Sequence, residues 1–360
     1  MATNRDLGLE VSRAIDDRRS ALAEAVTERH YELRPALARH YGPAGRAKCL
    51  QDAGYHLSYL AESIATSSPA LFADYVGWAR VMLAGRSIPA EDLARNFEIL
   101  REVLRRELPA GMADLACEYV DRGLEKLPEL PAELPSLLAA GEPLGERART
   151  YLESLLQGER HVASRLVLDA VEQGTPVRDI YLQVFQRCQH EVGRLWQMNR
   201  LSVAQEHYCT AASQLIMSQL YPYVFAGGEK NGRTLLATCV SGDLHEIGVR
   251  MVADFLEMEG WNTVYLGADT PTPSLLQMVA ERQVDVLAVS ATLTSHISRV
   301  ASLIAAVRGT EAGRQVKVLV GGYPFNVDPE LWRRVGADAY ARDAQEAVET
   351  AERLAGGGAA

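Results

Sequence analysis

The stretch TLLATCVSGDLHEIGVRMVADFLEMEGWNTVYLG, residues 234–267, passes from a short apolar run through a polar turn into a helix-spaced segment, then into a second apolar run. Two later runs, VDVLAVSA and VKVLVGG, repeat the pattern, each rich in Val and Leu and each followed by a longer amphipathic segment. Strands that are apolar on both faces and separated by helices form a parallel sheet covered on both sides. The right-handed crossover then predicts an open, doubly wound α/β domain over residues 229–355. Ligands of such domains bind beyond the carboxyl ends of the strands. Polar residues and glycines collect at that edge: residues 241–248 after the first strand, 290–294 after the third, and Gly321-Gly322 after the fourth. Three loops of one edge are therefore expected to converge on one crevice.

His245 lies at the first turn from strand to helix, with Asp243 two residues earlier in extended backbone. That spacing lets the carboxylate accept a bond from one imidazole nitrogen, which fixes the tautomer, raises basicity and leaves the other nitrogen as a lone-pair donor. A plainer reading has Asp243 capping the helix and His245 merely exposed. Gly248, in the first turn of the helix, leaves room for something bulky against the backbone. The glycine pair Gly321-Gly322, ending a buried strand opposite the histidine, shifts the balance toward a large planar ligand with a tail lying along the sheet.

Upstream, apolar residues recur at three and four, as in LFADYVGWARVML and LARNFEILREVLRREL, which is the period of packed helices and predicts an all-helical domain over residues 1–127. Pro128, Pro131, Pro135 and Pro143 then interrupt the pattern and mark a linker, residues 128–147. Helical periodicity returns over residues 148–226, and GGEKNG, starting at Gly227, marks the next joint. Within LWQMNRLSVAQEHYCTAASQLI a helix stop falls near Asn199, and Ser202 with Gln205 forms a capping box that starts a new helix. Trp196 ends one helix while Glu206 and His207 open the next, so all three are expected to meet over one spot. Taken singly, they read as a core tryptophan and a glutamate favoured by the helix macrodipole.

Composition narrows the class. The 360 residues are 48% hydrophobic and 23% charged, as in ordinary globular domains. A formal charge of -10 opposes binding to phosphate backbones, so no nucleic-acid partner is expected. No apolar run suits a bilayer and the charged start lacks a signal-peptide centre, which predicts a cytoplasmic protein without a membrane partner. Five scattered cysteines with no C-x-x-C argue against a disulfide framework and against a zinc site.

DLHEIG resembles the D-x-H-x-x-G signature of cobalamin-binding domains of the methionine synthase type, with VLVGGYPF as the glycine-glycine strand end and VYLGADTP as the second strand and turn. The resemblance implies that His245 ligates cobalt from below, that Asp243 tunes it, and that Gly248, Ser290, Leu293, Gly321 and Gly322 line the cofactor and its tail. Where the family has S-x-L, Ser290-Ala291-Thr292-Leu293 places the leucine one position late. The spacing of Trp196, Glu206 and His207 is similar to the W-x9-EH motif in the helical cap of CarH-type cobalamin photoreceptors, which implies a four-helix-bundle cap shielding an adenosyl group. The histidine that follows the tryptophan in that family is Gln197 here. CLQDAGYHLSYLAESIATSSPALFADYVGWARVMLAGRSIPAEDL is similar to the globin-like domain of photocobilins, which implies biliverdin as a second chromophore. Candidate bilin contacts are His56 and Tyr59, which with Ser63 share a helical face, and His40, Tyr41, Arg46, Tyr75, Trp78 and Arg86. Haem competes for such a fold, with His56 as proximal ligand.

The fold expected is thus α plus α/β: a globin-like helical domain, a helical cap and a doubly wound cobalamin domain. The function expected is a non-enzymatic photoreceptor in which light breaks the cobalt–carbon bond of adenosylcobalamin, acting as a dimer or tetramer upon a separate effector. Two alternatives remain open: a corrinoid methyl carrier of a methyltransferase system, and a non-photochemical cobalamin or haem sensor. No nucleophile triad, carboxylate pair or P-loop suggests catalysis by the chain alone.

Overall fold

A computed structural model describes residues 4–138, 141, 144–226 and 229–356; Pro143 and Gly227 lie outside the described residues. The chain divides into two compact units. One gathers residues 4–132 with Ala291–Ser302 and Tyr323–Gly336; the other holds Glu133–Ser290, Leu303–Gly322 and the chain from Ala337 onward.

The first unit is built on α1 (Asn4–Asp17), α2 (Arg19–Leu33), α3 (Ala36–Ala65), α4 (Pro69–Ala84), α5 (Ala90–Glu107) and α6 (Ala110–Lys126). In α5 the buried Leu93, Phe97, Leu100 and Leu104 recur at helical spacing, so one stripe faces the core. Gly42 interrupts α3 with a φ of 60°, next to Pro43, which supplies no backbone donor; the helix kinks there.

His56 belongs to this core. It is 4% exposed, Tyr75 Oη lies 2.8 Å from its Nδ1, and the Phe97 ring packs with centroids 4.6 Å apart. Burial pulls its pKa from 6.5 down to about 3. A histidine held neutral in the fold binds fewer protons than in the unfolded chain, so its effect favours folding least in acid. Stability is then lost as pH falls from the ordinary value toward the depressed one, by about 1.4 kcal/mol per pH unit. Thermal melts of His56→Leu should lose less stability on acidification than melts of the native chain, and equal acid slopes would refute the role.

In the second unit α7 (Gly145–Leu156), α8 (Arg160–Glu172) and α9 (Val177–Ile180) lead through a π-helical turn, Tyr181–Gln186, into α10 (Arg187–Gln197). The cap ends in α11 (Val203–Gln219) and α12 (Tyr221–Val224). The segment expected as a linker is, at residues 133–138, a strap sewn to α10. Glu191 accepts from Ser136 Oγ at 3.0 Å and the Leu137 N–H at 2.9 Å, Arg194 Nη1 donates to the Leu134 carbonyl at 2.6 Å, and Leu138 enters the apolar core. Prolines kept this stretch from becoming helix, but its backbone groups found partners on the cap.

The sheet has five parallel strands in the order β2-β1-β3-β4-β5: β1 (Thr234–Cys239), β2 (Asn262–Gly267), β3 (Val286–Ser290), β4 (Lys317–Gly321) and β5 (Ala339–Ala341). Helices α13 (Ile247–Met258), α14 (Thr272–Arg282), α15 (Ile297–Gly309), α16 (Tyr323–Val327), α17 (Leu331–Val335) and α18 (Ala344–Gly356) alternate with them. Leu235, Leu236 and Ala237 are fully buried along β1, as a strand covered on both faces requires. The α plus α/β architecture is therefore present, with a fifth strand that the sequence pattern did not reveal. The strand order reverses between β1 and β3, which makes their carboxyl ends the switch point where ligands of such sheets bind. No described helix is long and apolar enough to cross a membrane.

Candidate functional site

Asp243 and His245 occupy the loop after β1. One carboxylate oxygen of Asp243 receives both the His245 backbone N–H at 3.0 Å and His245 Nδ1 at 2.7 Å. Asp243 is 1% exposed, whereas the His245 side chain is 56% exposed. The hydrogen bond to Asp243 raises the pKa of His245, burial opposes it, and the charges of Asp243 and Glu206 add to the rise. A buried carboxylate thus takes Nδ1–H and leaves the lone pair of Nε2 on the accessible part of the ring.

Neighbouring loops hold this pair still. Asp269, with a left-handed φ of 50°, accepts from the Gly242 N–H at 2.7 Å and Ser241 Oγ at 3.3 Å, while its own N–H reaches the Asp243 carbonyl at 3.3 Å. Glu246 accepts from Tyr265 Oη at 2.9 Å, the Ala268 N–H at 3.0 Å and Gln214 Nε2 at 2.8 Å. Arg250 donates to the Gln214 carbonyl at 3.2 Å and to Ser218 Oγ at 2.8 Å. These bonds fasten the cap helix α11 to the start of α13. Sequence reading missed Asp269, Glu246, Gln214 and Arg250; the only local signal was that Glu246 directly follows His245.

Cys239, Ser290 and Gly321 stand in one register row across β1, β3 and β4, so two of the expected contacts are adjacent at the sheet edge. A Cβ added at Gly321 would sit 3.1 Å from the Ala341 carbonyl oxygen, and Gly322 has a φ of 105°, so both positions favour glycine. At Gly248 a Cβ would meet nothing within 4 Å, so open space lies against the first turn of α13. Leu293 belongs to the segment Ala291–Ser302 of the first unit and is extended just before the turn Thr294–His296.

In the cap, Ser202 and Gln205 form the expected capping box, and Asn199 takes the left-handed conformation that ends the preceding helix. His207 Nε2 lies 3.3 Å from Glu206, whose other oxygen accepts from Thr210 Oγ1 at 3.1 Å. Trp196 packs half-buried against the cap core. Glu206 is thus brought against His207 and close enough to His245 to bias its charge.

The candidate bilin residues separate into two groups. His56, Tyr59, Tyr75 and Trp78 share one aromatic stack, with Tyr59 and Tyr75 centroids 4.0 Å apart and Tyr75 and Trp78 centroids 6.2 Å apart. Tyr41 is exposed, Arg46 lies over the Tyr31 ring at 5.3 Å, and Arg86 donates to the Met82 carbonyl at 2.9 Å. The side chain of His40 lies outside the described residues. His56 is buried, with Nδ1 at 2.8 Å from Tyr75 Oη and its ring packed at 4.6 Å from that of Phe97.

Among the described residues no group of three or more His, Cys, Asp or Glu side chains could chelate an ion. A lone, carboxylate-backed imidazole beside glycines instead suits a metal whose other positions are filled by its own macrocycle. The residues present therefore fit a corrinoid.

Comparison with known proteins agrees. A B12 binding domain model matches residues 233–351, and a second matches residues 147–221. Dimethylamine corrinoid protein 3 of Methanosarcina acetivorans is 28% identical over 192 residues, 52% of this chain and 89% of that protein. Dimethylamine corrinoid protein 3 of Methanosarcina mazei is 31% identical over 116 residues, 32% of this chain and 68% of that protein. The structure of the Methanosarcina barkeri monomethylamine corrinoid protein shares the fold, with a TM-score of 0.53 at 23% identity over 59% of this chain and 100% of that one. Sheet, dyad and cap define a cobalamin-binding protein. The chain belongs to the family of corrinoid proteins with B12 binding domains. Neither family model reaches residues 4–132.

Proposed function

We propose that this chain carries a corrinoid whose cobalt His245 would ligate, with Trp196, Glu206 and His207 of the cap shielding the bound group. The observation that carries this reading is the buried Asp243 bonded to a half-exposed His245 at the switch point of the sheet. The corrinoid supplies a cobalt that holds and releases an upper group. Asp243 fixes the tautomer and basicity of the ligating imidazole, Gly248, Gly321 and Gly322 admit bulk against the backbone, and the cap excludes water. Ser290 and Leu293 are assigned to the tail. In this reading the chain hands its cargo or its state to a partner.

Of the finer readings, a methyl carrier serving a separate methyltransferase is favoured by the relatives, which are corrinoid proteins of methylamine systems. A light-responsive reading with adenosylcobalamin draws on a different observation: a six-helix unit that neither family model reaches, joined to a cap with Trp196, Glu206 and His207 at the expected spacing. In that reading residues 1–127 are a globin-like bilin domain, residues 148–226 the cap and residues 229–355 the cobalamin domain, and copies associate as a dimer or tetramer.

One experiment separates them. The purified chain is loaded in the dark with methylcobalamin or adenosylcobalamin, with and without biliverdin, then illuminated with green light and followed by absorbance and sedimentation. A carrier retains both cobalamins alike and keeps its association state in light. A photoreceptor prefers the adenosyl form and changes its association on illumination. Failure to retain any cobalamin would refute both.

A further inference from the structure

Within the second unit the helical cap meets the sheet domain along α13, and one point of that seam buries charge. Asp254 is 6% exposed and accepts a hydrogen bond at 2.8 Å from the hydroxyl of Tyr181, which is fully buried. Tyr181 opens the π-helical turn between α9 and α10. Such a turn inside a helix is rare and recurs at functional positions. Here it seats Tyr181 between Phe185 and Phe255, with ring centroids 5.4 and 5.7 Å away. Arg250, 8% exposed and one turn before Asp254 on α13, donates to the Gln214 carbonyl at 3.2 Å, Ser218 Oγ at 2.8 Å and Tyr221 Oη at 3.2 Å. Its Nε is buried without a hydrogen-bond partner, 3.9 Å from the Asp254 carboxylate. Three side chains thus tie two parts of the cap, the π turn and the corner of α11 with α12, to one helix of the sheet domain.

This carboxylate is poorly compensated. A buried ion is tolerated only where its partners are close and well bonded, and the one guanidinium beside it stops short of a hydrogen bond. The other charged and titratable groups around it do not make up the difference. Glu257, a turn further along α13, adds repulsion; Tyr221 is turned to Arg250; and Arg178 of α9 lies over the Phe255 ring and pairs with Glu259. Burial outweighs the bond from Tyr181 and the charge of Arg250, and lifts the Asp254 pKa from 3.8 to about 6. Tyr181 keeps its proton throughout, since burial and the same carboxylate push its own pKa far up. A group whose pKa is raised in the closed junction holds its proton there more tightly than in water. That favours closure fully below the ordinary carboxylate value, and the advantage is lost as pH rises through about 6.

We propose that Tyr181, Asp254 and Arg250 form a proton-operated latch between the cap and α13, firmest when Asp254 is protonated and loosened when it ionises. A protonated Asp254 still accepts from Tyr181 at its carbonyl oxygen. An ionised one draws water, and the junction opens to admit it. The helix that Arg250 fastens at Gln214 and Ser218 is α11, which also carries Glu206 and His207. The cap is therefore loosest near neutral pH and locks in acid, whatever it covers. The latch stands on the cap and α13 alone and does not rest on the corrinoid reading.

Hydrogen-exchange protection factors, corrected for the pH dependence of the chemical step, read the opening in the full chain with no corrinoid added. Between about pH 7 and about pH 5, amides of α11 and α12 in the native chain should gain about tenfold in protection over the change seen in Asp254→Asn. That variant keeps an oxygen for Tyr181 and cannot titrate. Tyr181→Phe removes a bond that favours the charged form, so the midpoint of the change should move to higher pH. A merely structural tyrosine would lower protection at every pH and leave the midpoint in place. Should Asp254→Asn fail to fold, the midpoint in Tyr181→Phe decides alone. Equal pH dependence in the native chain and Asp254→Asn, or a midpoint that Tyr181→Phe does not move, overturns the latch.

Discussion

His245→Ala should abolish imidazole coordination of the bound corrinoid, seen as a base-off spectrum, and lower affinity by more than the about 10–100-fold expected for Asp243→Asn. The two effects differ because the residues stand at different distances from the cobalt. His245 would supply the electron pair, so its removal deletes a bond. Asp243 holds Nδ1 at 2.7 Å and the backbone N–H of His245 at 3.0 Å, so an asparagine there keeps much of the loop geometry and loses the charge that makes the imidazole a better donor. The variant with asparagine should accordingly retain a coordinated spectrum at saturating corrinoid. A His245→Ala chain that binds and absorbs like the native one would show that the dyad is a helix-entry structure and nothing more.

Arg194→Ala should destabilise the cobalamin-binding unit by about 3–5 kcal/mol, because it strands a buried carboxylate. Arg194 and Glu191 are 8% and 4% exposed and bonded through two parallel contacts of 2.8 and 2.6 Å. Glu191 also receives Ser136 and the Leu137 N–H, so the strap at residues 133–138 should loosen with it. For a unit of this size the loss corresponds to a fall in melting temperature on the order of 10 °C. Replacing both partners with apolar residues should recover much of it, since the cost lies in the unpaired charge. The pH response has a definite sign. Burial alone would raise the Glu191 pKa, but the bonds from Arg194, Leu137 and Ser136 outweigh it and leave the value lowered. Its contribution is therefore present above the ordinary carboxylate pKa and lost as pH falls through the lowered one. Protease susceptibility of the strap reports the same event, and unchanged cleavage in Arg194→Ala would refute the coupling.

The legible features were those whose cause lies within a few residues. The capping box Ser202–Gln205, the left-handed Asn199 and the Asp243–His245 dyad all close over short spacings, and each is found at its expected position. Strands β1 to β4 were readable because burial on both faces demands uninterrupted apolar runs. Strand β5, Ala339–Ala341, is too short to show a pattern. His56 illustrates the opposite case. A histidine at helical spacing with tyrosines does not show in the sequence whether its ring stands open or, as found, bonds the hydroxyl of Tyr75 within a packed core.

By itself, the order of residues determined the α plus α/β plan, the carboxyl edge of the sheet and the Asp243–His245 pair in the loop after β1, because period, capping and strand burial act locally. Tertiary structure alone decided that the proline-rich stretch is a strap, that Glu246 clasps the cap through Gln214, and that Glu62 caps a helix 236 positions onward. Those contacts join polar groups far apart in the chain. Their worth depends on being brought together out of water, and no spacing in the sequence records it.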